Sequence, residues 1–255
     1  MADQPNRQHT QYEDYLRLET LLAAQQPLSD HPDELHFIIV HQVHELWFKL
    51  ALHHLDRARD ALDADALIEA ARLADQVTGV FDNLIGAVEH LQSLPPESFR
   101  QFRHLLAPGS GLQSYQFREI EFIAGRRDPD HVAFVRRALA RDEHLRQVER
   151  RLEKPSLADA LDAALQRRAV PDLAAVYAAP AAHPDLYALC EALSTLDQRV
   201  TRWRFGHIQL VERTIGTGTV GTGGTTHDYL QKTLSARLFP KLWTARNDAY
   251  TPDAE

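Results

Sequence analysis

Residues 33–61 read DELHFIIVHQVHELWFKLALHHLDRARDA. The stretch holds no glycine or proline, and Leu35, Ile38, Ile39, Leu46, Leu50 and Leu55 recur at helical rather than alternating spacing. One long helix from Asp33 to about Ala61 follows, with polar cap candidates and a proline near its first turn in Ser29-Asp30-His31-Pro32. The same character extends outward. No glycine precedes Gly79, and residues 10–78 are rich in helix-forming Leu, Ala, Glu, Gln and Arg, so this part reads as long helices. Further helices are predicted from about Asp65 to Leu94, ended by Pro95-Pro96, from Glu97 to Leu106, stopped by Pro108-Gly109-Ser110-Gly111, and from Gln113 to Ile123. Between Arg126 and Pro184 the breakers Pro155, Pro171 and Pro180 leave room for three or four short helices. His183-Pro184 opens a second long helix reaching about Ile215, followed by a glycine-threonine loop, a last helix from His227 to about Leu238 and a polar tail. The expected fold is all-α: a bundle with long core helices, in one domain over residues 1–255, with 1–9 and 247–255 as flexible tails.

Composition narrows the function classes. With 255 residues, 44% hydrophobic and 25% charged, the chain buries a large core and is not mostly disordered. A net charge of -8 gives no electrostatic footprint for nucleic acid or an anionic membrane, so neither is an expected partner. No apolar run approaches a membrane span, and Met1-Ala2-Asp3-Gln4-Pro5 has no signal-peptide character. The only cysteine, Cys190, excludes an internal disulfide and a cysteine-based metal cluster, and suits a reducing, cytoplasmic compartment.

Against one cysteine and one methionine stand 14 histidines, and five of 11 glycines fall between Gly216 and Gly224. In the cluster from His36 to Trp47, His41 and Glu45 are i,i+4 and share a face, which His44 does not join. Neither H-E-x-x-H nor paired E-x-x-H spacing is present, so a His/Glu metal site and structurally satisfied histidines both stay open. His41 lies among Phe37, Ile38, Val40 and Trp47, where an imidazole needs a hydrogen-bond partner or a ligand. Residues 216–221 match G-x-G-x-x-G literally, but the motif follows a helix instead of a strand, which removes the dinucleotide reading. The loop is either a flexible surface turn or a mobile loop closing over a polar ligand. In Trp203-Arg204-Phe205-Gly206-His207, the missing side chain at Gly206 would let a flat group such as a porphyrin approach, with histidine as its axial ligand. Arg103, on the short helix before Pro108, has the fork geometry for a carboxylate.

Together, in this order and spacing, the segments resemble the tryptophan 2,3-dioxygenase family, haem enzymes that open the indole ring of L-tryptophan to N-formyl-L-kynurenine. The resemblance rests on Tyr12-x-x-Tyr15-Leu16, Phe37-Ile38-Ile39-x-His41-Gln42 with Glu45-Leu46-Trp47-Phe48-Lys49, and Phe102-Arg103 with Leu106, Pro108, Ser110 and Gly111. It continues through Gln113-Ser114, Phe117-Arg118, Trp203-Arg204 with His207, and Gly221-Thr222-Gly223-Gly224. It spans roughly Tyr12 to Arg246 and is weakest from Arg126 to Pro184.

The resemblance implies a haem b enclosed by the bundle, with His207 as proximal iron ligand and O2 as co-substrate. His41 would be the distal histidine that hydrogen-bonds the indole N–H. Phe37, Phe99 and Leu106 would line the substrate pocket, Arg103 would clamp the carboxylate, and Thr222 would hold the amino-acid end as the loop closes. Ser110 and Gly111 would border the cofactor. Tyr12 and Tyr15 would reach a neighbouring subunit's pocket, which implies a homotetramer. Three positions depart from the family pattern: Phe99 where some members have tyrosine, Gly206 where a larger residue is usual, and the loop Thr217-Gly218-Thr219-Val220, one residue longer and uncharged. The altered loop alone favours an alternative, a related monooxygenase acting on tryptophan or a methylated tryptophan in secondary metabolism. A non-catalytic haem-binding or sensor protein is a second alternative, against which Arg103 and Thr222 argue.

Overall fold

A computed structural model describes residues 11–139 and 141–250. In order they form α1 (Tyr12–Leu16), α2 (Leu18–Leu22), α3 (Glu34–Asp63), α4 (Leu67–Leu91), α5 (Pro96–Leu106), α6 (Tyr115–Ala124) and α7 (Pro129–Ala138). There follow α8 (Asp142–Glu149), α9 (Leu157–Arg167), α10 (Leu173–Ala178), α11 (Pro184–Ile215), α12 (His227–Lys232) and α13 (Pro240–Tyr250). Single 3-10 turns occur at Gly111–Gln113 and Thr233–Ser235. Among the described residues there is no strand, so the fold is all-α as expected. No described helix is long and apolar enough to cross a membrane.

Three long helices carry the core. Phe48, Leu55 and Leu62 of α3, Leu73, Val77, Phe81 and Leu84 of α4, and Leu186, Leu189, Leu193 and Val200 of α11 form one buried cluster. Each such side chain contributes roughly 1.5–3 kcal/mol on burial. Helix α4 packs along both α3 and α11, whereas α3 and α11 scarcely approach each other backbone to backbone. The gap between them is spanned by rings: Trp203 of α11 stands edge-on to Phe48 at 5.7 Å and lies tilted on Phe117 of α6 at 4.9 Å. Pro184 opens α11 at its first turn, and Gly216, at φ 75°, closes it in a conformation that favours glycine.

Four local expectations need correction. The segment before α3 is two five-residue helices separated by Arg17 in the left-handed region (φ 52°), not a long helix. The helix from His227 stops at Lys232 and tightens into the 3-10 turn. The expected polar tail contains α13, with Leu242 and Ala245 buried, so residues 247–250 are helical; the expectations for 1–9 and 251–255 lie outside the described residues. The cause is tertiary. Asp197 on α11, fully buried, accepts from Leu238 N at 3.0 Å, Phe239 N at 3.3 Å and Trp243 Nε1 at 2.8 Å, which holds the start of α13 against α11. Lastly, Gly206 faces α4: a Cβ there would meet Val88 Cγ1 at 3.6 Å, an ordinary contact, so this glycine does not open space beside His207.

Asp197→Ala leaves three donors without their acceptor and is expected to lower stability by roughly 3 kcal/mol or more. Denaturant unfolding followed by tryptophan emission tests it, with α13 as the first segment cut by limited proteolysis.

Candidate active site

The site begins on α3. His41 Nδ1 lies 2.7 Å from the Phe37 carbonyl, and His44 Nδ1 lies 2.7 Å from the Val40 carbonyl. A carbonyl only accepts, so both rings carry their proton on Nδ1 and present Nε2 as a bare acceptor. The Phe37 ring rests 4.1 Å from His41, 5.5 Å from Phe99 and 5.9 Å from Phe102. Phe37, Phe99 and Leu106 pack together on Val40, Val88, Phe102 and Leu210, forming an apolar wall beside the two imidazoles. His41 is enclosed on most sides yet keeps an exposed ring, as a residue lining a concavity does; burial pushes its pKa down against the Phe37 carbonyl and Glu45.

His207 enters from α11. Burial, with the fields of His41 and His44, pushes its pKa down to about 4, and His44 is likewise held down to about 4 by burial against its Val40 hydrogen bond. All three rings are neutral at pH 7. The described residues make no hydrogen bond to either His207 nitrogen. Trp203, one turn earlier, places its ring 6.1 Å from His44. A neutral, unpartnered imidazole on α11, near enough to His41 and His44 of α3 to feel their fields, is the donor that a planar iron macrocycle needs, so His207 fits a haem.

The third component is a turn-on-turn contact. Arg103 Nη2 donates to the Val220 carbonyl, and its Nε is buried with no partner among the described residues. Thr222 Oγ1 donates to the Gly109 carbonyl at 2.7 Å. Gly223 lies so close to Ser110 that a Cβ would come within 2.5 Å of Ser110 Oγ, which only glycine allows. Within the loop, Gly221 N donates to Thr225 O at 2.8 Å and Gly224 N to Gly221 O at 2.9 Å. Its far end is fastened by His227 Nε2, 2.6 Å from Glu212 Oε1. The glycine-rich loop is therefore packed down on the α5 turn and on Arg103.

A family model described as tryptophan 2,3-dioxygenase matches residues 2–174 and 141–248. This chain belongs to the tryptophan 2,3-dioxygenase family. It is 40% identical over 259 residues to the tryptophan 2,3-dioxygenase of a Bradyrhizobium species, covering 92% of this chain and 91% of that one. It is 39% identical over 265 residues to the enzyme of a Ruegeria species, covering 93% and 92%. Against that of Erythrobacter litoralis it is 40% identical over 260 residues, covering 94% and 98%.

Of the residues that family resemblance singles out, Phe37, His41, Phe99 and Leu106 stand together, with His207 near them and Arg103 beside the loop that bears Thr222. Ser110 is spent locally: its hydroxyl accepts from Leu112 N at 3.3 Å and packs against Gly223, with Gly111 starting the 3-10 turn. Tyr12 and Tyr15 stay apart from this site, 72% and 76% exposed on α1. Glu45 does not pair with His41 as a metal ligand but accepts from Gln116 Nε2 at 2.9 Å, and the described residues contain no cluster of three metal-binding side chains. Sequence reasoning missed His44. Three residues along a helix turn only about 60° from the starting face, which a concave site tolerates. The Val220 carbonyl carried no signal, being backbone.

Gly223→Ala is expected to push the loop off Ser110, which limited proteolysis within 216–226 detects as faster cleavage. Since His44 and His207 are depressed in the folded chain, the unfolded chain takes up their protons between about pH 6.5 and 4. Stability is therefore fully present above pH 6.5 and lost as pH falls through that window, by up to about 1.4 kcal/mol per pH unit for each imidazole. Thermal melts of the apoprotein should show a shallower loss in His44→Phe.

Proposed function

We propose that this chain is a haem-dependent dioxygenase that adds both atoms of O2 across the indole C2–C3 bond of L-tryptophan, giving N-formyl-L-kynurenine. The observation that carries the proposal is the neutral, unpartnered His207 set near the bare Nε2 of His41, beside the aromatic wall of Phe37 and Phe99. His207 is the iron ligand, and the bound haem supplies oxygen activation and redox chemistry. His41 Nε2 accepts the indole N–H and fixes the ring's orientation without adding charge. Phe37, Phe99 and Leu106 exclude water from the indole, Arg103 pairs with the carboxylate once released from Val220, and Thr222 lies on the loop that covers the amino-acid end. Ser110 and Gly111 border the haem edge. Phe99 has no hydroxyl, so the carboxylate depends on Arg103.

We read the chain as one domain acting as a homotetramer, in which Tyr12 and Tyr15 complete a neighbour's pocket. The support is an exposed apolar stripe on α3, Leu35, Ile39, Leu46 and Leu50, each 37–52% exposed, together with the projecting tyrosines. A cytoplasmic setting suits the buried free thiol of Cys190.

After haem reconstitution, His207→Ala should lose the Soret band, whereas His41→Ala should keep it and lose about 1–3 kcal/mol of transition-state stabilisation in kcat/KM. Loss of haem in His41→Ala would reverse the two roles. Arg103→Ala is expected to raise KM for L-tryptophan about 10–100-fold. With labelled dioxygen, mass analysis should find both labelled atoms in the product; a single one would replace dioxygenation by monooxygenation.

A further inference from the structure

Glu121 of α6, 1% exposed, is the most densely paired buried charge among the described residues. Its carboxylate meets Arg118 Nη1 at 2.7 Å, Arg126 Nη1 at 2.6 Å and Arg204 Nη2 at 2.9 Å, with His131 Nε2 at 3.0 Å. Burial alone would raise its pKa, but the neighbouring Arg118, His131 and Arg204 hold the carboxyl well below the usual carboxylate range. Buried ion pairs add little net stability over apolar replacements, because desolvation offsets their attraction. Their effect is geometric.

The geometry concerns α11. Arg204, 6% exposed, lies about one turn before His207, and its guanidinium is gripped from two sides. Nη2 reaches Glu121, while Nη1 donates to the Ala236 carbonyl and, at 3.4 Å, to the Thr233 carbonyl. A long helix resting on α4 could roll or slide by fractions of a turn. A forked guanidinium held by α6 and by the segment after α12 allows neither. Metal-binding histidines are usually oriented by a hydrogen bond to their second ring nitrogen. The described residues make none to His207, so its aim depends on the setting of the helix itself.

We propose that Glu121 is a positioning residue for His207: acting through Arg204, it fixes the roll of α11 that aims the imidazole at the haem iron. The proposal rests on the reading of His207 as iron ligand. That reading fails separately, if His207→Ala retains the Soret band.

The test uses reconstituted holoenzyme in three variants. Glu121→Gln removes the carboxylate charge, Arg204→Lys keeps the charge but loses the fork, and Leu161→Ala in α9 destabilises the remote core as a control. Expected are a displaced or broadened ferrous iron–histidine stretching band in Glu121→Gln and Arg204→Lys, and about 10-fold weaker haem retention in both. The iron midpoint potential should rise in Glu121→Gln, since losing a negative charge favours the reduced metal, and stay near wild type in Arg204→Lys. Leu161→Ala should lower Tm and leave band and potential unmoved. If Glu121→Gln does not fold, the band and haem retention of Arg204→Lys decide. A wild-type band and haem retention in every variant that folds would overturn the proposal, leaving Glu121 a purely structural charge.

Discussion

Two buried charges on one helix organise the molecule around α11. Asp197 is fully buried and Arg204 nearly so, seven residues apart and thus on the same face, and they are complementary in kind. Asp197 collects N–H groups from residues 238, 239 and 243, while Arg204 gives N–H groups to the carbonyls of 233 and 236. Neither charge can be left alone in the interior, so the C-terminal segment must come back to α11 to satisfy them. That return lays α12 alongside the last turns of α11 and, with the His227 to Glu212 contact, fastens the downstream end of the glycine-rich loop. Core packing makes the bundle; these two side chains decide how the segment from 233 to 243 lies on it.

The site follows from that frame. Because α3 and α11 each rest on α4 without closing on one another, the space between them is filled by side chains instead of backbone. Rings of Phe48, Phe117 and Trp203 hold its inner end, and imidazoles line it. Desolvation keeps those imidazoles neutral, which suits them to accept a hydrogen bond or bind a metal and makes them poor partners for an anion. Arg103, on the same helix as Phe99 and Leu106 of the apolar wall, is the cation that grips the loop through the Val220 carbonyl.

Long periodic segments were legible in the sequence because one stripe of apolar residues suffices to bury them. The predicted spans of α3 and α11 differ from the observed ones by about two residues at most. The break at Arg17 and the helix at α13 were not legible, since neither rests on its own periodicity: the first is a single left-handed residue, the second a short helix anchored by Asp197. Among site residues, Phe37, His41 and His207 announced themselves as polar groups in apolar surroundings or as family motifs. Glu121 did not, and Arg204 figured only as a motif residue without a role, because a charge on a helix looks solvated until its partners, here 83 residues apart, are known. Gly206 was misread for a similar reason: its neighbour in space is Val88, not the group expected beside His207.

The hydrogen bond from Arg103 to the Val220 carbonyl gives the loop a second character. On the reading proposed above, in which Arg103 takes the substrate carboxylate, the chain itself occupies that seat, and the carboxylate competes with a tethered rival whose local concentration never changes. Observed affinity is then the intrinsic affinity of the free guanidinium diluted by the fraction of time the loop is lifted. On that reading the loop raises the apparent Kd by a constant factor and leaves the binding curve hyperbolic, and it offers the guanidinium an alternative partner once the carboxylate leaves.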